Sequence, residues 1–165
     1  MRQWLLRAIL LGVLLLLGFW AWHIFFPNPE KAIRRRLTEI AQLASCSSNE
    51  GALAKGINAE KLGSYCTADV TVSMNLPGVP PLTTGRDAVV KGSLWARSNL
   101  APISAQLSDI VVTVAADKQS AIADLTIRVR VSTDTDFYIQ ELAVRMKKLS
   151  GEWLVSRVDS VKTLR

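Results

Sequence analysis

The sequence predicts an α+β domain behind a single apolar amino-terminal segment. Three observations lead there. Residues 8–26 carry no formal charge; residues 30–98 show helical hydrophobic spacing interrupted by one short strand; and from Ala101 onward alternating strands follow one another between turn signals. A chain of 165 residues has room for one such domain of about 135 residues after the first segment.

The apolar segment reads AILLGVLLLLGFWAWHIFF, nineteen residues from Ala8 to Phe26. At about 1.5 Å of rise per residue a helix of that length spans about 28 Å, close to the hydrocarbon thickness of a bilayer. Trp4 lies at one end and Trp20 and Trp22 near the other, where indole rings favour the interface. A cleaved signal peptide would need small residues before the cut. Here Phe19, Trp20, Trp22, His23, Phe25 and Phe26 are bulky, so residues 1–27 read as a transmembrane signal anchor.

Its orientation is balanced between two arguments. Lys31 and Arg34 to Arg36 after the span, set against Arg2 and Arg7 before it, would keep the domain in the cytoplasm by the positive-inside rule. A short tail with two arginines and an amine rarely crosses, however, and the later charges fall within the folded domain. The expectation is a single-pass protein with the domain extracytoplasmic, the cytoplasmic placement being the alternative.

Pro27-Asn28-Pro29 ends the span and starts the next helix, with Asn28 as N-cap and Pro29 in the first turn. Ile33, Leu37, Ile40 and Ala44 then recur at helical spacing over residues 30–44. Ser47 and Glu50 have the spacing of a capping box for a second helix, weakened by Gly51 and Gly56, that runs to about Tyr65. A strand is expected over residues 69–74, with Asp69 at its start as a helix-to-strand turn residue rather than an acid catalyst. The Pro- and Gly-rich residues 75–83 follow, and Thr84 caps a third helix that reaches about Ser98.

Strands are expected over 103–114, 120–132, 137–149 and 153–162 as an antiparallel meander. In the second of these, Ala121, Ala123, Leu125, Ile127, Val129 and Val131 share one face, and Asp124, Thr126, Arg128 and Arg130 the other. The charged face, with Glu141, Arg145, Lys147, Arg157 and Asp159, is expected to hold cross-strand ion pairs.

Beyond Phe26 there are eighteen Lys and Arg residues against fourteen acids, a net +4 on a mixed surface. Without a basic stripe interleaved with aromatics, no nucleic-acid partner is expected. Cys46 and Cys66 could pair in an oxidising compartment; the expectation is two free, mostly buried thiols and no metal site.

The helix order, the passages YCTADVTV (from Tyr65), TTGRDAVVKG (from Thr83) and KKLSGEWLVSRV (from Lys147), and their spacing resemble the nuclear transport factor 2-like, or SnoaL-like, superfamily with its cystatin-like cone fold. The resemblance covers residues 29–162. It implies a cone of about three helices packed on a strongly bent antiparallel sheet, with domain bounds of 28–165. The superfamily includes isomerases, dehydratases and cyclases as well as non-enzymatic binding and assembly domains, so the fold leaves function open.

Absences narrow the choice. Where ketosteroid isomerase relatives carry a general-base aspartate after the first strand, the matching position here is Met74, whose thioether cannot take that proton. Scytalone dehydratase relatives depend on histidine, and the sole histidine is His23, in the expected span. A candidate pocket is left with Tyr138, Gln140, Met74, Leu142 and Val144, and with Gln140 expected to hydrogen-bond neighbouring backbone. No catalytic residue and no cofactor is expected.

Two functional readings follow. The first is a membrane-anchored, non-catalytic binding or assembly module, dimerising through its sheet or holding a protein partner; membrane-tethered relatives of this superfamily serve so in type IV secretion systems. The second is a binder of a small hydrophobic molecule, a lipid or terpenoid, or an enzyme of the SnoaL-like type with an unrecognised residue set.

Overall fold

In the computed structural model, residues 28–74, 82–131 and 137–161 are described, and there three helices pack on one six-stranded sheet. Among the described residues no helix is long and apolar enough to cross a membrane. The apolar run of residues 8–26, with Trp4, Trp20 and Trp22, lies outside them.

Helix α1 spans Pro29–Ala44, and Asn28 caps it by accepting a hydrogen bond from the Glu30 N–H at 2.9 Å. Ile33, Leu37 and Ala41 turn its apolar face to the core. Helix α2 spans Ala52–Ser64 and starts at Gly51 without a side-chain cap. The expected capping box does not form, because the Glu50 carboxylate is taken up by Asn58 and Arg97 instead.

Strand β1 spans Cys66–Ser73, so it starts three residues earlier than its alternation indicates. Asp69 is therefore an exposed residue inside the strand, at the irregularity between Cys66 and Thr71, and not the helix-to-strand turn residue at its start. Strand β2, Thr83–Thr84, is too short to read from sequence; it pairs antiparallel with Thr71 and Val72 of β1. That pairing uses Thr84 as a strand residue and leaves Gly85, at φ +91°, as the N-cap of α3, Arg86–Asn99.

The meander consists of β3 (Ile103–Val114), β4 (Ser120–Val131), β5 (Tyr138–Leu149) and β6 (Glu152–Ser160). Ser150 and Gly151, both at positive φ, make the two-residue turn between β5 and β6. The sheet order is β2-β1-β6-β5-β4-β3. The sheet is mixed, contrary to the antiparallel expectation: β1 runs parallel to β6, with Val72 opposite Val158. Alternation reports which face a residue occupies, whereas strand neighbours are set by the crossover through α3, and that crossover returns the meander alongside β1 in the same direction.

Register shifts bend the sheet at three places: between Cys66 and Thr71, between Ser108 and Val111, and between Arg145 and Met146. Asp109, at φ +52°, occupies the second of them. The core lies on the inner face of the curled sheet. Ile33 and Leu37 of α1 meet Ala121, Ala123 and Leu125 of β4, Leu142, Val144 and Met146 of β5, and Trp153 and Val155 of β6. The buried cluster ends at Leu125 on β4 and Leu142 on β5, with Ile127 of β4 half-buried against it.

Candidate functional site

Where the core stops, a cavity of about 780 Å³ begins. Ile127, Val129 and Val131 of β4, Ile103 and Ala105 of β3, Tyr138 of β5, and Val72 of β1 form the sheet side. Helix α3 forms the opposite wall. Its Ala88, Gly92 and Ala96 recur every four residues along one stripe, and side chains that small leave the space between helix and sheet unfilled. Leu62 of α2, Ala44 at the end of α1, and Leu82 and Met74 complete an almost wholly apolar lining.

Three titratable groups of the described residues interrupt it: Lys91, Tyr138 and Arg97. Trp95, on the same helix, is 47% exposed at the rim. None of the described lining residues is Asp, Glu, His or Cys, and among the described residues no group of three or more such side chains is placed to hold a metal ion.

Arg97 is the unusual member. It is 1% exposed, and its Nη1 donates to both oxygens of Glu50 at 2.8 Å. Asn58 Nδ2 donates to the same carboxylate at 2.6 Å. Burial works against ionisation of Glu50, but the hydrogen bonds from Asn58 and Arg97, with the guanidinium charge, outweigh it and hold the carboxyl below the usual range. Nε and Nη2 of Arg97 are buried with no hydrogen-bond partner.

The candidate pocket residues divide. Met74 and Tyr138 line the cavity; Leu142 and Val144 belong to the packed core. Gln140 lies between the two regions, opposite Ile127, and its Oε1 is buried without a partner, so the expected backbone hydrogen bond to that oxygen is not made. Sequence reading missed Arg97 because an arginine near a helix end reads as a solvated residue. The signal was available in the small residues of α3, whose spacing marks a helix face that cannot fill the space before it.

Elsewhere the titratable groups serve the scaffold. Arg86 donates through Nε and Nη2 to the Cys66 carbonyl at 3.2 and 2.8 Å, fixing the start of α3 to β1. Cys46 and Cys66 are free and buried, and burial pushes the Cys66 thiol up to about 11 despite the Arg86 charge. On the outer sheet face Arg157 pairs with Asp159 at 2.7 Å, a contact along β6 itself. The Arg128 and Arg130 guanidinium groups lie over the Phe137 ring at 5.3 and 4.8 Å.

No family model and no curated protein matches the chain. Solved structures do. A cystatin-like domain of unknown function from Nostoc punctiforme superposes with a TM-score of 0.63 at 13% identity, covering 85% of this chain and 80% of its own. A nuclear transport factor 2-like protein of unknown function from Pseudomonas putida gives 0.61 at 14% identity over 82% and 87%. A candidate scytalone dehydratase from Novosphingobium aromaticivorans gives 0.59 at 19% identity over 82% and 84%. At these identities the likeness establishes the fold alone: the chain has a cystatin-like α+β fold.

Proposed function

We propose that this chain is a membrane-tethered, non-catalytic binding module whose cone holds one small, mostly apolar molecule. The cavity carries the reading. Its volume of about 780 Å³ falls within the range of about 300–1,000 Å³ typical of small-molecule sites. Its lining is apolar on both the helix and the sheet side and includes Met74, the residue that the resemblance to the isomerases puts at their proton-acceptor position. The likeness to a candidate dehydratase does not carry that activity over, since the chain's single histidine is His23.

The tether is the signal anchor of residues 1–27, supported by the nineteen-residue apolar run. With the amino-terminus inside, the domain of residues 28–165 lies outside and beside the bilayer, from which an apolar ligand can be drawn. Two experiments test these statements. An environment-sensitive apolar fluorophore should bind saturably to the full chain in nanodiscs, at one per chain, and a signal equal to that of protein-free nanodiscs would remove the cavity reading. Full-length protein should remain in the membrane after carbonate washing, and a soluble form starting near Pro29 would remove the anchor.

A second reading, self-association or a protein partner at the sheet, has its own support. Val111, Ile122 and Ile139 stand exposed on the outer face of β3, β4 and β5. Native mass spectrometry of the detergent-extracted full chain separates dimer from monomer.

A further inference from the structure

We propose that the molecule held in the cone is an apolar carboxylic acid, and that the side edge of Arg97 takes its carboxylate. The inference rests on the cavity being a ligand site and adds the chemical class of what fills it.

Arg97 projects from the last turn of α3, lines the cavity and is 1% exposed. Glu50 occupies Nη1 alone, with both of its oxygens at 2.8 Å from that one nitrogen. The donors left over are Nε and Nη2, both buried and both without a partner. These are not two arbitrary atoms. Their N–H bonds lie parallel along one side of the planar guanidinium, at the spacing of the two oxygens of a carboxylate. Buried donors without acceptors are rare in folded proteins, and on a cation they are costlier than on a neutral group.

The surroundings select the charge and shape of the acceptor. The other cationic residue lining the cavity is Lys91, and no acidic residue is among the described lining. Glu50 is not among the lining residues, so its charge offsets that of Arg97 without occupying the cavity. A neutral carbonyl or hydroxyl would satisfy one N–H of the edge and leave the other orphaned. A carboxylate satisfies both, and with Arg97 already offset by Glu50 its negative charge is balanced by that of Lys91. The remainder of the ligand meets Val72, Ile127, Val129 and Leu100, which require it to be hydrocarbon. Nε and Nη2 have no exposed surface, so the head group reaches them by displacing a neighbouring cavity side chain as it enters.

The test compares dodecanoate with its methyl ester, which has the same chain and no charge. Both are offered together, in mildly alkaline buffer, to the full-length protein in nanodiscs, and native mass spectrometry reads the ratio bound. The wild type should favour the acid about tenfold or more. Arg97→Lys keeps a cation for Glu50 and removes the fork; it should go on binding the ester while its acid-to-ester ratio falls about tenfold. A ratio unchanged in a folded Arg97→Lys protein would show that Arg97 is only a brace between helices, and overturn the proposal. Should Arg97→Lys fail to fold, the wild-type ratio decides alone: equal uptake of acid and ester overturns the assignment while leaving the cavity reading intact. Uptake of neither compound removes the cavity reading itself and the inference with it.

Discussion

Arg97 and Glu50, forty-seven residues apart in sequence, meet in an ion pair with the arginine 1% and the glutamate 10% exposed. The contact joins the residue just before α2 to the last turn of α3 and so fixes one end of the helical wall of the cavity. Removing one partner from a buried pair leaves the other charge uncompensated, at a cost of about 3–5 kcal/mol. Glu50→Ala should lower the unfolding free energy of the full chain by about that amount in denaturant titration. A loss below about 1 kcal/mol would class the pair with surface ion pairs.

Acid should find the same contact. Glu50 and Glu39 both titrate below the ordinary glutamate value in the folded protein, Glu39 mainly through its hydrogen bond from Arg35. The unfolded chain then binds protons more readily than the folded one just below the ordinary value of 4.5. The stabilisation is therefore complete above that pH and is lost as pH falls through the folded values. The melting temperature should stay level from neutral pH to about 5 and drop below 4.5, with a shallower drop in Glu50→Gln. Identical acid profiles for the two proteins would show that Glu50 has no part in it.

The thiols should be silent while the domain is folded. Cys46 and Cys66 are buried, and Cys66 titrates near 11 because burial disfavours its thiolate, the reactive form. A maleimide reagent at neutral pH should modify neither thiol until denaturant is added, and a reductant should leave the melting temperature unmoved. Rapid labelling of the native protein would contradict the burial of both.

Two glycines of α2 should respond in opposite ways. A Cβ at Gly63 would collide with Cγ2 of Val90 on α3, so Gly63→Ala forces the helices apart and should cost about 1–3 kcal/mol. At Gly56 a Cβ meets nothing within 4 Å, and Gly56→Ala should be neutral or stabilising by about 0.5–1 kcal/mol. Equal effects at the two positions, read by thermal denaturation, would rule out the close approach of α2 to α3 at Gly63.

The elements with strong periodicity were legible in the sequence. Residues 120–131 read as one strand because Leu125, Ile127, Val129 and Val131 alternate there with polar residues, and Asn28-Pro29 marked the start of α1 from capping chemistry alone. What stayed hidden depends on contacts between distant residues. Thr84 has the chemistry of an N-cap, and only its pairing with Thr71 makes it a strand residue. Glu50 has the spacing of a capping box, and Arg97 on another helix takes its carboxylate. The parallel placement of β1 on β6 follows from the crossover and has no local signature. For the site, parity put Tyr138 and Leu142 on one face of β5, yet one lines the cavity and the other is core.

Gly92 offers the most direct test of the cavity as a binding site. It lines the cavity on an α3 face, and a Cβ built there meets no atom within 4 Å, so Gly92→Phe can place a ring in the space without disturbing the helix. The measurement is native mass spectrometry of the full chain extracted from its membrane, wild type beside Gly92→Phe, with melting temperatures recorded for both. A wild type carrying one small apolar molecule per chain, lost in an equally stable Gly92→Phe, is the predicted result. A Gly92→Phe protein that retains the same molecule, or a wild type that carries none, would contradict the cavity's role.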